Sequence, residues 1–455
     1  MVTIRGNYQC EVCKARTLVR VQVGWLDSHP VRFNCLKCGI LITGTMYQDQ
    51  INITAHLVLE NVIKVTNTSS DYYIEASGEL LTEKLQKFTH TETMLPTFFK
   101  TGTITMEDSV MEFREKVSTY LWIIENEWPT YRRINELWFN KNYHYLKKEL
   151  RKKITNKQYP FNNDIQLLTS IRQLNILSMK NILKDEFFNV HTENIRNEIS
   201  LLYQNQNSEL IDLMKHFSGS MNLYEKKIFE SINQFNQKFK YMIPVFGLDF
   251  YQDTKFDYNK KGITTVSFED LKQFYVDIFE LVTELLDIVV AYNNLKYRNN
   301  YQIMKSKRKD IKTLEKFQNT SKGGKLEFID RSEIFDELIY PTISNQLRNA
   351  IGHNSYDIDV KEQIIQFSST KSKNSETSTL SLIDFTKACW ELFQTLINIS
   401  ELVYQTRRFY YIHLGLTPTY ELIFEPKKVI KKNKTINKKK SINKQRKSSK
   451  RKNRK

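Results

Sequence analysis

Glycine and proline are scarce, 13 and 8 among 455 residues. Sandwiches and barrels turn their chain at intervals of about ten residues and lean on both residue types to do so. Their scarcity disfavours all-β architectures and favours helices joined by polar loops, so a mainly α fold is expected. Long apolar runs are missing too. The most apolar window, Asp277 to Tyr292, carries four acidic residues and is too short to cross a bilayer, so it reads as a core helix and no membrane association is expected. Met1 to Gly6 leads into polar, cysteine-bearing sequence with no apolar core of the secretory kind, which points to a cytoplasmic protein. Cysteine is rare, five in all, but it is not scattered.

Acidic residues are absent from one long stretch. Lys427 to Lys455 holds 16 Lys or Arg and no carboxylate, so of the net charge of +17 only +1 remains on the rest of the chain. A like-charged block with so few large apolar residues cannot pack, and residues 426–455 are expected to be a disordered polybasic tail. Such a tail is read as an anchor for a nucleic-acid backbone that releases its counterions without sequence preference; the other reading is a tail for solubility or addressing.

What is present begins with the cysteines. Cys10 and Cys13 form one C-x2-C pair, Cys35 and Cys38 a second, and 21 residues separate the pairs. In a reducing compartment this spacing suits four thiolates around one Zn²⁺ at about 2.3 Å each. With every position filled by sulfur there is no place for a reactive water, so the zinc is expected to be structural, and metal binding and folding of the ribbon to be one free energy. Between the pairs, "TLVRVQVGW" alternates like a strand, which makes residues 1–50 a zinc ribbon. Its surface is read as carrying Arg5, Lys14, Arg16, Arg20, Arg32 and Lys37. His29 also lies there but is not needed as a ligand.

Residues 51–100 are β-flavoured and extend the ribbon into a small sheet. From about Asp108 the apolar period becomes helical, giving a helical middle domain over 101–255. The last folded unit, 256–425, opens at a capping box, Ser267 with Asp270. A seam of Leu271, Phe274, Ile278, Leu281, Leu285 and Ile288 then follows at helical spacing. A second long helix begins near Leu382 and places Cys389 in its core face. Between the two lie a basic loop (Lys305 to Lys325), a short helix, and a hairpin from "YDIDVKEQIIQF" to "STLSL". An antiparallel helical bundle is expected.

The short helix ends in "LRNAIGHNSYDI", Leu347 to Ile358. Pro341 suits its first turn, and the helix should run to about Gly352. At about 100° per residue, Ile343, Leu347, Ala350 and Ile351 share an inward face while Arg348, Asn349, Gly352 and His353 share the other. Asn349 and His353 are four apart and adjacent, and Gly352 leaves a gap between Arg348 and His353. Such a polar notch suits a phosphodiester. Arginine can hold a phosphate by paired hydrogen bonds and offset the charge of a pentavalent transition state. Histidine can take a proton from a ribose 2′-hydroxyl or give one to the leaving oxygen.

"RNAIGHN" on a late bundle helix, followed by a hairpin and a long closing helix, resembles the HEPN superfamily over about residues 256–415. Its ribonuclease members carry Arg, a polar residue, three residues and then His, onto which Arg348, Asn349 and His353 fall. The element order is similar to abortive-infection and toxin-type HEPN proteins of antiphage defence. The resemblance implies a homodimer whose two motifs face one cleft. It implies an endoribonuclease that cuts RNA (tRNA, mRNA or rRNA) by 2′-hydroxyl attack without a catalytic metal, with a protein inhibitor or a phage trigger as a further partner. A bare Arg…His spacing is weak on its own: Arg408 and His413 match it too, inside an aromatic stretch that reads as packing. Two other readings stay open at this point. One is a capped helix end whose histidine is satisfied by the C-terminal dipole; the other is a non-catalytic zinc-ribbon adaptor that binds nucleic acid while the bundle dimerises.

Overall fold

The computed structural model describes residues 2–49, 51–52, 54–66, 69–88, 96–102, 106, 109–251, 260–341, 343–368 and 377–424. The expected polybasic tail, 426–455, lies outside them. About 54% of the chain is helical, with a small sheet region at the N-terminal end, so the fold is mainly α.

Two antiparallel hairpins start the chain. β1 (Val2–Cys10) pairs with β2 (Arg16–Val23), Gln9 opposite Arg16, and β3 (Ser28–Asn34) pairs with β4 (Leu41–Asp49), Asn34 opposite Leu41. Each hairpin turns at one C-x2-C pair. The strands after residue 50 are woven into both hairpins. β5 (Thr54–Leu59) lies on β4, β6 (Val62–Val65) on β1, and β7 (Tyr72–Ala76) runs parallel to β2. Val19, Val21, Val31, Phe33, Ile42, Met46 and Ile74 point inward at alternate positions and form one core, so the strands on either side of residue 50 are packed as a unit.

The parallel strand corrects one expectation. β7 sets Glu75 directly opposite Arg20, and Arg20, read from sequence as a surface residue, is fully buried with its guanidinium 3.0 Å from the Glu75 carboxylate. The Tyr73 hydroxyl and the Thr97 amide also donate to Glu75. A buried charge pair is tolerated only with such added hydrogen bonds.

Next to it the chain from Tyr73 to Thr82 is buried throughout and joins the sheets to the helices. Glu79 accepts from the Trp25 amide (2.6 Å), the Leu26 amide (3.3 Å) and Gln22 Nε2 (2.8 Å). Burial pushes its carboxyl up to about 7. Beyond it, β8 (Thr82–Glu83) pairs with β10 (Lys261–Gly262), and β9 (Gln86–Lys87) closes the edge on β7.

The helices are α1 (Thr97–Lys100), α2 (Ser109–Trp122), α3 (Trp128–Phe139), α4 (Tyr143–Lys153), α5 (Asp164–Ser178), α6 (Thr192–Asn205), α7 (Asn207–Ser218) and α8 (Met221–Phe246). They are followed by α9 (Phe268–Arg298), α10 (Leu314–Gln318), α11 (Lys322–Leu326), α12 (Asn345–Gly352) and α13 (Leu382–His413). The α9 capping box forms as expected, Asp270 accepting from the Ser267 amide at 2.8 Å, and Cys389 is fully buried in α13. One buried apolar cluster runs from Leu80 and Phe98 through α2 and α8 to α9 and α13, so residues 101–255 and 256–425 share a core.

The bundle is not wholly antiparallel. Phe268 meets Phe385 near the start of α9 and α13, and the Tyr292 hydroxyl meets Thr406 near their ends, so the two longest helices run parallel. α8 opposes both: Phe235 stacks on Phe393 while Glu225 pairs with Arg407. Parallel neighbours need a long return connection. Residues 299–381 supply it, and they carry α12 together with a three-stranded meander, β11 (Tyr356–Asp359), β12 (Ile364–Ser368) and β13 (Thr377–Ser381), where a single hairpin was expected.

Candidate functional site

The four cysteines converge. Their sulfurs all lie within 4.8 Å of one another, Cys10 to Cys38 at 3.7 Å and Cys13 to Cys35 at 3.5 Å, and none is in a disulfide. A tetrahedral Zn²⁺ with ligands at about 2.3 Å needs sulfurs about 3.8 Å apart. The set therefore fits a metal ion such as zinc. Both turns are built alike: the residue after the second cysteine, Lys14 or Gly39, takes a left-handed φ of 62° or 76°. It donates its amide to the carbonyl of the first cysteine at 3.1 or 2.8 Å. His29 is no ligand. It is buried 3% exposed in the junction, with its ring nitrogens facing the carbonyls of Pro30 and Gln22.

α12 starts later than Pro341 suggests. Ser344 caps it, its hydroxyl accepting from the Leu347 amide at 3.2 Å, because a serine side chain can satisfy an orphan amide and proline cannot. Tyr275 of α9 hydrogen-bonds to both the carbonyl and the amide of Ser344 and seats the cap on the bundle. Leu347, Ala350 and Ile351 are buried, as the helical spacing predicts; Arg348 and Asn349 are half-buried, and Gly352 and His353 are exposed.

Asn354 ends the helix in the left-handed region, at φ 50°. The Ser355 amide then reaches Ala350 O at 2.9 Å and the Asn354 amide reaches Ile351 O at 3.2 Å, the paired reverse bonds of a Schellman ending. The helix end is thus satisfied by backbone. The His353 ring takes no part in it and has no hydrogen bond among the described residues.

Arg348 is held from outside its own helix. Its Nε and Nη2 lie 2.6 and 2.5 Å from Glu280 Oε1 on α9, and its Nη1 donates to Asn349 Oδ1 at 3.1 Å. Nη1 also sits 3.8 Å from where a Cβ on Gly352 would be, so the guanidinium lies along the exposed end of the helix toward the side of His353. Lys322 Nζ pairs with the same carboxylate, through Oε2. Sequence reasoning missed both Glu280 and Lys322, although signals existed. Glu280 belongs to a stripe of carboxylates at helical spacing on an otherwise apolar helix, and Lys322 stands in "SKGGK", two adjacent glycines in a glycine-poor chain.

The second Arg…His match lies near the end of α13, where His413 is exposed and Arg408 half-buried. Arg408 contacts Gln405 and Phe409, and the His413 ring leans on Tyr410. Among the described residues no helix is long and apolar enough to cross a membrane. No protein-family model, no curated protein and no solved structure matches the chain.

Proposed function

We propose that the protein is an endoribonuclease of HEPN type whose working residues are Arg348, Asn349 and His353. The observation that carries this reading is the presence at one helix end of a guanidinium held by Glu280 and an exposed imidazole without a hydrogen bond among the described residues. In the reaction, the ribose 2′-oxygen forms a bond to the adjacent phosphorus as the phosphorus–5′-oxygen bond breaks. His353 takes the 2′-hydroxyl proton, and the 5′-oxygen is protonated as it leaves, giving a 2′,3′-cyclic phosphate and a 5′-hydroxyl. Arg348 offsets the charge gathering on the phosphoryl oxygens. No metal enters the step as written. One imidazole cannot be base and acid at the same instant, so a homodimer that brings two α12 ends to one cleft completes the chemistry.

On this reading the zinc of the Cys10, Cys13, Cys35 and Cys38 cluster is structural, and the tail of 426–455 adds affinity for RNA without choosing its sequence. The biological setting is a cytoplasmic toxin-like effector of antiphage defence, held by an inhibitor or released by a phage trigger. The test is incubation of the purified full chain with total RNA, followed by mapping of cyclic-phosphate ends. The wild type should produce them and His353→Ala should not, while unfolding at the same denaturant concentration, since the ring is exposed. Equal cleavage by both proteins would refute the assignment.

One observation favours a second reading, a nucleic-acid adaptor without catalysis: Val12, Lys14 and Lys37 are exposed at the tips of the cysteine turns, where a partner could seat. It requires that RNA be bound and left intact.

A further inference from the structure

Glu280, Glu284 and Asp287 lie three and four residues apart on α9 and so share one face. Each is answered by cations from elsewhere in the chain. Lys227 of α8 pairs with Glu284 at 2.7 Å, and Lys325 of α11 pairs with Asp287 at 2.6 Å. Those two pairs are one to one. Glu280 alone takes two cations, Arg348 and Lys322. Glu280 therefore shares one negative charge between two cations, and that local excess of positive charge sits beside α12. The side chains there are 27 to 40% exposed, within reach of solvent but short of full hydration. Burial, and then repulsion from Arg348, Lys325 and Lys227, pull the Lys322 ammonium below its ordinary range. Such a spot is eased by an incoming anion.

Lys322 does not reach this place by chance of a flexible loop. The Lys325 side chain is buried, anchored to Asp287 and lying 5.5 Å from the Phe317 ring centroid. Ser321 caps α11 by accepting from the Gly324 amide. Gly323 lies against the Asn345 side chain at the start of α12, where a Cβ would come within 2.3 Å of Nδ2. Lysine 322 is thus presented from a fixed pedestal onto the carboxylate that already orients Arg348.

We propose that Lys322 is a second phosphate-binding residue of the α12 site, gripping the RNA backbone together with Arg348, with Glu280 as the carboxylate on which both cations rest before the phosphate arrives. This rests on the nuclease reading of the preceding section. An ammonium suits the task because it adds a point charge beside the planar fork of arginine without competing for its geometry.

The experiment uses the full chain and a 2′-O-methyl RNA tetranucleotide, which binds but cannot be cut, alongside cleavage of ordinary RNA. Lys322→Ala should weaken tetranucleotide binding roughly tenfold and lower the salt slope of log K by about 0.7, the value for one phosphate of a single strand. Cleavage should fall with it, Lys322→Arg should restore most of both, and Lys316→Ala, an exposed lysine on the same segment, should change neither. Unchanged binding by Lys322→Ala, or an equal loss in Lys316→Ala, overturns the proposal. If the wild type still cuts RNA and His353→Ala does not, that failure leaves the nuclease reading intact. If the wild type neither binds nor cuts RNA, both fall together.

Discussion

Glu79 makes the junction between the sheets and the helices sensitive to pH. Its carboxyl is raised from an ordinary 4.5 to about 7 by burial. In the folded chain it keeps its proton up to about 7, whereas in the unfolded chain it gives the proton up near 4.5. Below 4.5 both states are protonated and the site costs nothing. As pH rises from there, the unfolded state gains the freedom to ionise and folding loses ground, until the penalty levels off above about 7. At 1.36 kcal/mol per unit the full effect is about 3 kcal/mol, of which about 2 to 3 kcal/mol falls between pH 5 and pH 8. Glu79→Gln removes the ionisation and keeps the shape, so every other titrating group cancels in the comparison. Urea unfolding of wild type and Glu79→Gln at both pH values, followed by tryptophan fluorescence, should show the wild type losing that amount relative to the variant on going to pH 8. Trp25, whose amide bonds to Glu79, reports from beside the group. A difference between the two proteins that stays constant with pH would refute the reasoning.

Replacing any one of Cys10, Cys13, Cys35 or Cys38 with serine should abolish stoichiometric zinc and expose the amides of β1 to β4 to hydrogen exchange; a variant that keeps one metal per chain and its protection would contradict the four-sulfur site. Glu75→Ala strands the buried Arg20 charge and should cost about 3 to 5 kcal/mol in unfolding free energy, against less than about 0.5 kcal/mol for the exposed His353→Ala. Asn354→Val asks a branched residue to hold the left-handed ending of α12 and should cost about 1 to 2 kcal/mol, with RNA cleavage reduced and Asn354→Gly restoring both; cleavage insensitive to the valine would detach the helix ending from the activity.

Much of this was legible because it is local. The α9 capping box spans four residues, the buried stripe of α12 spans five, and two C-x2-C turns announce a four-cysteine cluster by spacing alone. Direction and partnership were not local. Nothing in the apolar seams of α9 and α13 says whether they run together or opposed; that is set by where the return connection leaves the chain. Arg20 read as a surface residue because its partner lies 55 positions away on a parallel strand. The same distance problem hid Glu280, which is 68 residues from Arg348, and an alternating or helical period is blind to such pairs. Pro341 misled because proline and serine both mark helix starts, and the serine lay closer to the first buried residue.

Strand β11 begins three residues after His353, and the turn that follows it is fastened to the residues flanking the β8–β10 pair. Lys84 bridges to Glu362 at 3.5 Å, and the Gln363 amide exchanges two hydrogen bonds with the backbone of Ile263 beside β10. Ten residues of chain thus join His353 to Gln363, which is fixed on the segment just before α9. The exit of the chain from α12 is therefore anchored at a second point, in addition to the Ser344 cap that seats its start on Tyr275.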